Sequence, residues 1–271
     1  VKLTVSTWNI NSVRLRIDQV ARFLKERRPD ILCLQETKCP NDKLPLKELQ
    51  SFGYPFVVHM GQKGYNGVAI LSRYPFSETG VMEMCDRQDA RHITVTLSPQ
   101  AKAASGITIH NFYVPAGGDI PDPEVNEKFR HKLDFLSQMR AWGAKAKPTS
   151  GPAILVGDLN VAPLEHDVWS HKQLLDVVSH TPVETAALEE LRQEAGWIDA
   201  MRHLRPEPEK IYSWWSYRSP DWAAADKGRR LDHIWISDAL KDSLRSVDVT
   251  RDTRAWERPS DHAPVTMELE L

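Results

Sequence analysis

Cysteine is scarce in this chain: three in 271 residues, Cys33, Cys39 and Cys85. Their odd number and irregular spacing fit neither a disulfide framework nor a thiolate metal site, so a reducing, cytoplasmic setting is expected. No apolar run approaches the roughly 18 residues of a membrane span, and Val1 to Ile10 reads as an opening strand rather than a leader. GxGxxG and GxxxxGK[ST] are both missing, which speaks against a Rossmann or P-loop nucleotide site. A strong charge of one sign is missing too. The 35 Lys and Arg against 37 Asp and Glu leave −2, which alone argues against a nucleic-acid partner. Basic residues are nevertheless available near the polar clusters described next: Arg14, Arg16, Lys38, Lys63, Lys227, Arg229 and Arg230.

What the chain does have is six short polar clusters, each carried on a strand-like apolar run. They are Asn9-Ile10-Asn11, Gln35 to Lys38, Tyr113-Val114-Pro115, Gly157 to Asn160, Arg230 to His233, and Ser260-Asp261-His262. Strands that end in acid and amide imply one polar site at one edge of a sheet core. Its composition is rich in carboxylate, has one dominant histidine and contains no cysteine. That suits a hard divalent cation and phosphate-ester hydrolysis.

Hydrophobic periodicity predicts strands at 2–8, 31–34, 67–71, 93–97, 107–114, 153–156, 211–217, 231–236, 244–249 and 265–269. A helix capped by Ser12 carries Val13, Ile17, Val20, Ala21 and Leu24, and two more helices are expected at about 125–143 and 184–194. Helices are interspersed without a strict βαβ alternation, which favours a layered α/β sandwich with mixed sheets over a doubly wound parallel fold. No linker is visible, so residues 1–271 are expected to form a single domain, with surface loops at 115–124 and 205–210.

Several residues stand out individually. Glu36 closes an apolar strand, so its carboxylate must be solvated, paired or metal-bound. Asp158 and Asn160 are two apart and share a face on an extended backbone. A carboxylate there can take a proton from water, and an amide can hold the nucleophile or a phosphate oxygen. An Asx turn after Gly157 is the plainer alternative. Residues 212–222 interleave Trp214, Trp215, Tyr217 and Trp222 with Arg218, and Lys227, Arg229 and Arg230 follow. Aromatics with cations can wedge into a base stack and clamp phosphates, although at least one of these tryptophans is expected in the core. Arg14 and the Gly64-Tyr65 loop are candidate backbone contacts on the other flank.

Taken in this order, the six clusters resemble the exonuclease III family of DNA-repair nucleases, which includes abasic-site endonucleases. The resemblance runs from Trp8-Asn9-Ile10-Asn11 to Ser260-Asp261-His262-Ala263-Pro264-Val265. It includes Gln62 to Ala69 and Ser213-Trp214-Trp215-Ser216-Tyr217-Arg218. It implies a four-layer αββα sandwich with mixed, largely antiparallel sheets, the deoxyribonuclease-like endonuclease/exonuclease/phosphatase fold. It implies Glu36, with Asn11 and Asp261, as ligands of Mg2+, for which Mn2+ could substitute. Asp158 would be the general base with Asn160 beside it. His262 would be paired with Asp232, and Tyr113 and Asn9 would face the phosphate. Arg91 matches a family arginine near the site, with a structural salt bridge as the alternative. Contacts to DNA are implied for Arg14, Lys38, Lys63, Gly64, Tyr65, Trp214, Arg218, Arg229 and Leu231.

The implied substrate is double-stranded DNA, abasic or blocked at a 3′ end, with a monomeric, membrane-free enzyme acting on it. Two alternatives stay open: a phosphoesterase of the same superfamily acting on lipid or inositol phosphates, and a non-catalytic DNA-binding scaffold. The chain departs from the family pattern at Ser12, where glycine is common, at Ala116, where an amide is common, and at Arg229, where a large apolar residue is common.

Overall fold

The structure is a computed structural model that describes residues 1–271. Two six-stranded sheets face each other. The first contains β1 (Lys2–Asn9), β2 (Ile31–Gln35), β3 (Phe56–Met60), β4 (Val68–Ser72), β13 (Leu244–Val249) and β14 (Val265–Glu270). The second contains β5 (Phe76–Gly80), β6 (His92–Leu97), β7 (Thr108–Tyr113), β8 (Ala153–Asp158), β9 (Ile198–Asp199) and β12 (Asp232–Ile236). A small ribbon pairs β10 (Trp214–Trp215) with β11 (Gly228–Arg229). β1 runs parallel to β2, and β7 to β8; the other neighbours are antiparallel. The mixed, largely antiparallel sandwich expected from the sequence is the fold.

Side-chain alternation along the strands builds the layers. Val5, Ile31, Cys33, Ile70, Ile109, Ile154, Val156 and Ile234 meet between the sheets. The alternate residues face outward. Trp8, Leu32 and Leu34 pack under Val20, Phe23 and Leu24 of α1 (Ile17–Arg27). Phe112, Leu155 and Trp235 pack under α3 (Glu127–Ala146) and α5 (Pro182–Glu194). The remaining helices are short: α2 (Leu46–Ser51), α4 (His171–Leu174), α6 (Ala200–Leu204) and α7 (Trp222–Ala225). Local chemistry sets the starts of the long helices. Asn126 caps α3 by accepting from the Lys128 amide at 3.0 Å, and Thr181 and Glu184 form a capping box on α5.

Two expectations need correction. Ser12 does not cap α1; the helix begins at Ile17 behind Arg16, without a side-chain cap. Ser12 instead has φ +86° in the turn that leaves β1. The predicted strand at 211–217 shrinks to Trp214–Trp215, because the aromatic side chains there pack on cations and loops rather than on a pleated surface.

Candidate active site

The alternation that builds the core also builds the site. Asn9 and Gln35 continue the inner face of the first sheet, and Asn111, Tyr113, Asp158 and Asp232 continue that of the second. Gln35 donates to the Asn111 side-chain carbonyl at 2.7 Å, closing the apolar interior beneath the polar end. Strand register then sets the neighbours: Tyr113 lies beside Asp158 in the parallel pair, and Asp232 opposite Asp158 in the antiparallel pair. Gly157 is required just before Asp158. Its φ is +147°, and an added Cβ would sit 1.9 Å from the Phe112 carbonyl oxygen.

Asn9 ties the two sheets together. Its Nδ2 donates to Asp158 Oδ2 at 2.8 Å and to Glu36 Oε1 at 3.0 Å. The Tyr113 hydroxyl also donates to Glu36 Oε1, at 2.7 Å. Burial alone would raise the Glu36 pKa, but Lys38, Asn9 and Tyr113 outweigh it and hold the carboxyl below the ordinary range. Burial, with Glu36 and Asp158 nearby, drives the Tyr113 phenol well above its usual value, so it stays a neutral donor.

The second half of the site is an acid–imidazole–acid line. His262 Nδ1 lies 2.8 Å from Asp232 Oδ2, and its Nε2 lies 3.6 Å from Asp158 Oδ2. Burial pulls His262 down, yet Asp232 and Asp158 raise its pKa to about 10. Asp158 is pushed up to about 7: burial raises it, His262 and Asn9 lower it, and Asp232 and Glu36 raise it again. Asp158 Oδ1 accepts from the Asn160 backbone amide at 3.0 Å, and the Asn160 side chain donates to Val114 O at 2.8 Å. The Asx turn expected as the plainer alternative is therefore present, and it aims Asn160 at the same carboxylate.

Asp158, Asp232 and His262 bring their ligand atoms within 4.8 Å of one another, a buried cluster of a size suited to a divalent cation. A second oxygen set lies beside it. Glu36 Oε2 is 2.9 Å from the Lys38 ammonium, and Asn11 Oδ1 accepts from the same ammonium at 2.6 Å. These two oxygens already hold a positive charge, as a hard-cation site must. Asp261 adjoins them through Asn11 Nδ2 at 3.2 Å, while its other oxygen accepts from Trp214 Nε1 at 2.9 Å.

Above these groups lies a cleft of about 750 Å³. Glu36, Asp158, Asn160, Asp261 and His262 form its floor, and Trp214, Leu231, Arg218 and Arg229 line its wall. Arg14, Lys63, Gly64 and Tyr65 do not line the cleft. They are exposed, Tyr65 at 71%, on loops at the ends of β1 and β3. Arg91 pairs with Asp89 and covers the Tyr113 ring at 4.9 Å. Arg230 is not a solvated charge. It is 1% exposed, and Asp167 and Asp199 hold it. His233 faces outward to Val161 O at 2.8 Å, as its strand position requires.

Four further groups, to which the sequence assigns no role, support the site. Ser213 donates to Asp232 Oδ2 at 2.7 Å and accepts from the amides of Leu231 and Asp232. Ser260 donates to Asn9 O at 2.6 Å. Lys132 and Glu184 form a fully buried ion pair. Lys132 donates to Asn160 O at 2.7 Å, and Glu184 accepts from the Ser179 and Thr181 amides, so the pair fixes two loops of the cleft.

A sheet sandwich whose open end gathers an imidazolium, a phenol and several carboxylates beside a cation-holding oxygen pair defines a metal-dependent phosphoesterase. Comparison with known proteins narrows the class. The description "Endonuclease/Exonuclease/phosphatase family" matches residues 6–262. Exodeoxyribonuclease III of Haemophilus influenzae is 31% identical over 273 residues, covering 97% of this chain and 98% of that one. The AP endonuclease of Archaeoglobus fulgidus superposes with a TM-score of 0.90 at 33% identity, covering 99% of this chain and 100% of the other. The 3′ phosphatase NExo from Neisseria, solved with a product DNA hairpin, gives 0.89 at 33% identity with the same coverage. The chain belongs to the endonuclease/exonuclease/phosphatase family, within its exonuclease III and AP endonuclease branch.

Proposed function

We propose that this protein is a magnesium-dependent phosphodiesterase of double-stranded DNA, acting at abasic sites and at 3′ ends. It leaves a 3′ hydroxyl and a 5′ phosphate. The observation that carries this reading is the shared hydrogen bonding of Asp158 and Glu36 through Asn9, with His262 beside Asp158. The activities named for the similar proteins, exodeoxyribonuclease, AP endonuclease and 3′ phosphatase, are the reason for choosing DNA.

Glu36, Asn11 and Asp261 would hold Mg2+, with Mn2+ as a substitute; the ion would polarise a phosphate oxygen and neutralise charge. The acid–imidazole cluster is a weaker choice for that ion. A protonated His262 has no lone pair to offer, and the imidazolium is already the cation between its two carboxylates. Asp158 takes a proton from the attacking water, since a base with a pKa near working pH is both ionised and strong enough. Asn160 orients that water. The His262 imidazolium, with Tyr113 and Asn9, donates to the oxygens on which charge grows. Arg14, Lys38, Lys63, Gly64 and Tyr65 on one flank, and Trp214, Arg218, Arg229 and Leu231 on the other, would hold the duplex.

The test is a duplex carrying one abasic site, incubated with the protein in Mg2+ and separately in EDTA. Incision 5′ of the site in Mg2+ alone supports the reading. Faster hydrolysis of an inositol phosphate than of any DNA refutes it.

A further inference from the structure

Arg229 is a fixed cation in the wall of the cleft. Its guanidinium lies 5.1 Å over the Trp214 ring, and the two residues are cross-strand partners in the β10–β11 ribbon. On the other side, Nη1 donates to Val178 O at 3.0 Å and to Ser179 Oγ at 2.8 Å. Those bonds use one nitrogen. Nε is buried without an acceptor, and Nη2 has no partner in the protein. A guanidinium has five donors; Nη1 gives its two to Val178 and Ser179 and Nε is buried, so the two on Nη2 are the ones open to a ligand. Arg218 and Lys227 line the same cleft, although Lys227 stacks on Trp169 at 4.6 Å. The facing acids are Asp119 and the floor carboxylates Glu36, Asp158 and Asp261.

A neutral sugar offers Nη2 only uncharged oxygens, whereas an anion makes a charge-assisted pair with it. We propose that Arg229 makes the cleft select 3′-terminal phosphate monoesters over abasic nucleotides. This inference rests on the DNA phosphodiesterase reading above. A terminal monoester has a second pKa of about 6, so it brings an extra negative charge near neutral pH. An abasic deoxyribose brings none. The step itself is hydrolysis. The oxygen of water bonds to phosphorus, and the bond from phosphorus to the 3′ oxygen breaks. Asp158 takes the water's proton, and the 3′ oxygen gains one from solvent, giving inorganic phosphate and a 3′ hydroxyl.

The test compares kcat/KM in Mg2+ on two duplexes, one ending in a 3′ phosphate and one carrying a single abasic site. For the wild type the 3′ phosphate is expected to be favoured by about 10-fold, the scale of one charge-assisted hydrogen bond. R229Q should bring that ratio down by about 10-fold, and R229K, which keeps the charge, should hold it within about 3-fold. Binding gives a second readout that needs no variant. In EDTA the wild type should bind a 3′-phosphate duplex about 10-fold more tightly than a 3′-hydroxyl duplex. A ratio unmoved in R229Q, or equal binding of the two ends, overturns the inference while leaving the nuclease reading intact. Cleavage of neither duplex by the wild type overturns both.

Discussion

His262 Nδ1 lies 2.8 Å from Asp232 Oδ2, and Asp232 sits directly across the strand pair from Asp158. One imidazole is thereby held between two buried carboxylates, 30 positions from the first of them in sequence. The charge state of this line sets the working range of the site.

The pH profile should be a bell. Asp158 must be ionised to act as base, so kcat/KM should rise as pH passes about 7. His262 must be protonated to act as donor, so the rate should fall as pH passes about 10. D232N removes the largest contribution that raises His262, and its upper limb should move toward lower pH. An upper limb unmoved in D232N would contradict the pairing.

Asp158 should weaken the fold that it serves. Its folded pKa is raised, the reverse of the common carboxylate case, so its ionisation costs stability. The cost begins above the unfolded value of about 3.9 and is complete above about 7. D158N keeps the shape and removes the charge, but turns an NH2 group toward a donor that the carboxylate accepts from, a cost that does not depend on pH. The melting temperature of D158N relative to wild type should therefore rise between pH 4 and pH 8. The same variant should lose at least about 100-fold in kcat. A difference that falls between pH 4 and pH 8 would show that the ionised carboxylate is structurally needed.

Glu36 should set the metal requirement. It is the charged member of the oxygen pair that faces the Lys38 ammonium. E36Q keeps an oxygen and loses the charge, so the Mg2+ concentration for half-maximal rate should rise by about 10-fold or more. A titration with the same midpoint as wild type would move the cation elsewhere.

Ser12 holds φ +86° with a Cβ attached, a conformation that suits glycine. S12G should therefore raise unfolding free energy by about 0.5–1 kcal/mol in urea titrations. A loss of stability would mean that the serine side chain compensates for its backbone.

The sequence exposed the site wherever a strand's inward alternation ends in a polar residue. Asn9, Asp158 and Asp232 are legible for that reason, and so is the outward, structural orientation of His233. Ser213, Ser260 and Lys132 were not legible, because what they do depends on partners 19, 251 and 28 residues away. The same limit hid Arg230, whose burial depends on acids at 167 and 199. The aromatic run near Trp214 imitated a strand because strand propensity measures fit to a half-buried pleated face, and tryptophans stacked on arginines give the same pattern. Ser12 looked like a cap because the helical spacing of Val13, Ile17 and Val20 starts one turn before the helix does.

The most direct measurement is single-turnover cleavage of an end-labelled duplex bearing one abasic site, in Mg2+, by wild type and D158N. The account predicts incision by the wild type to a fragment ending in a 3′ hydroxyl, none with EDTA, and a loss of at least about 100-fold in D158N, which still melts cooperatively. D158N cutting at the wild-type rate would contradict it.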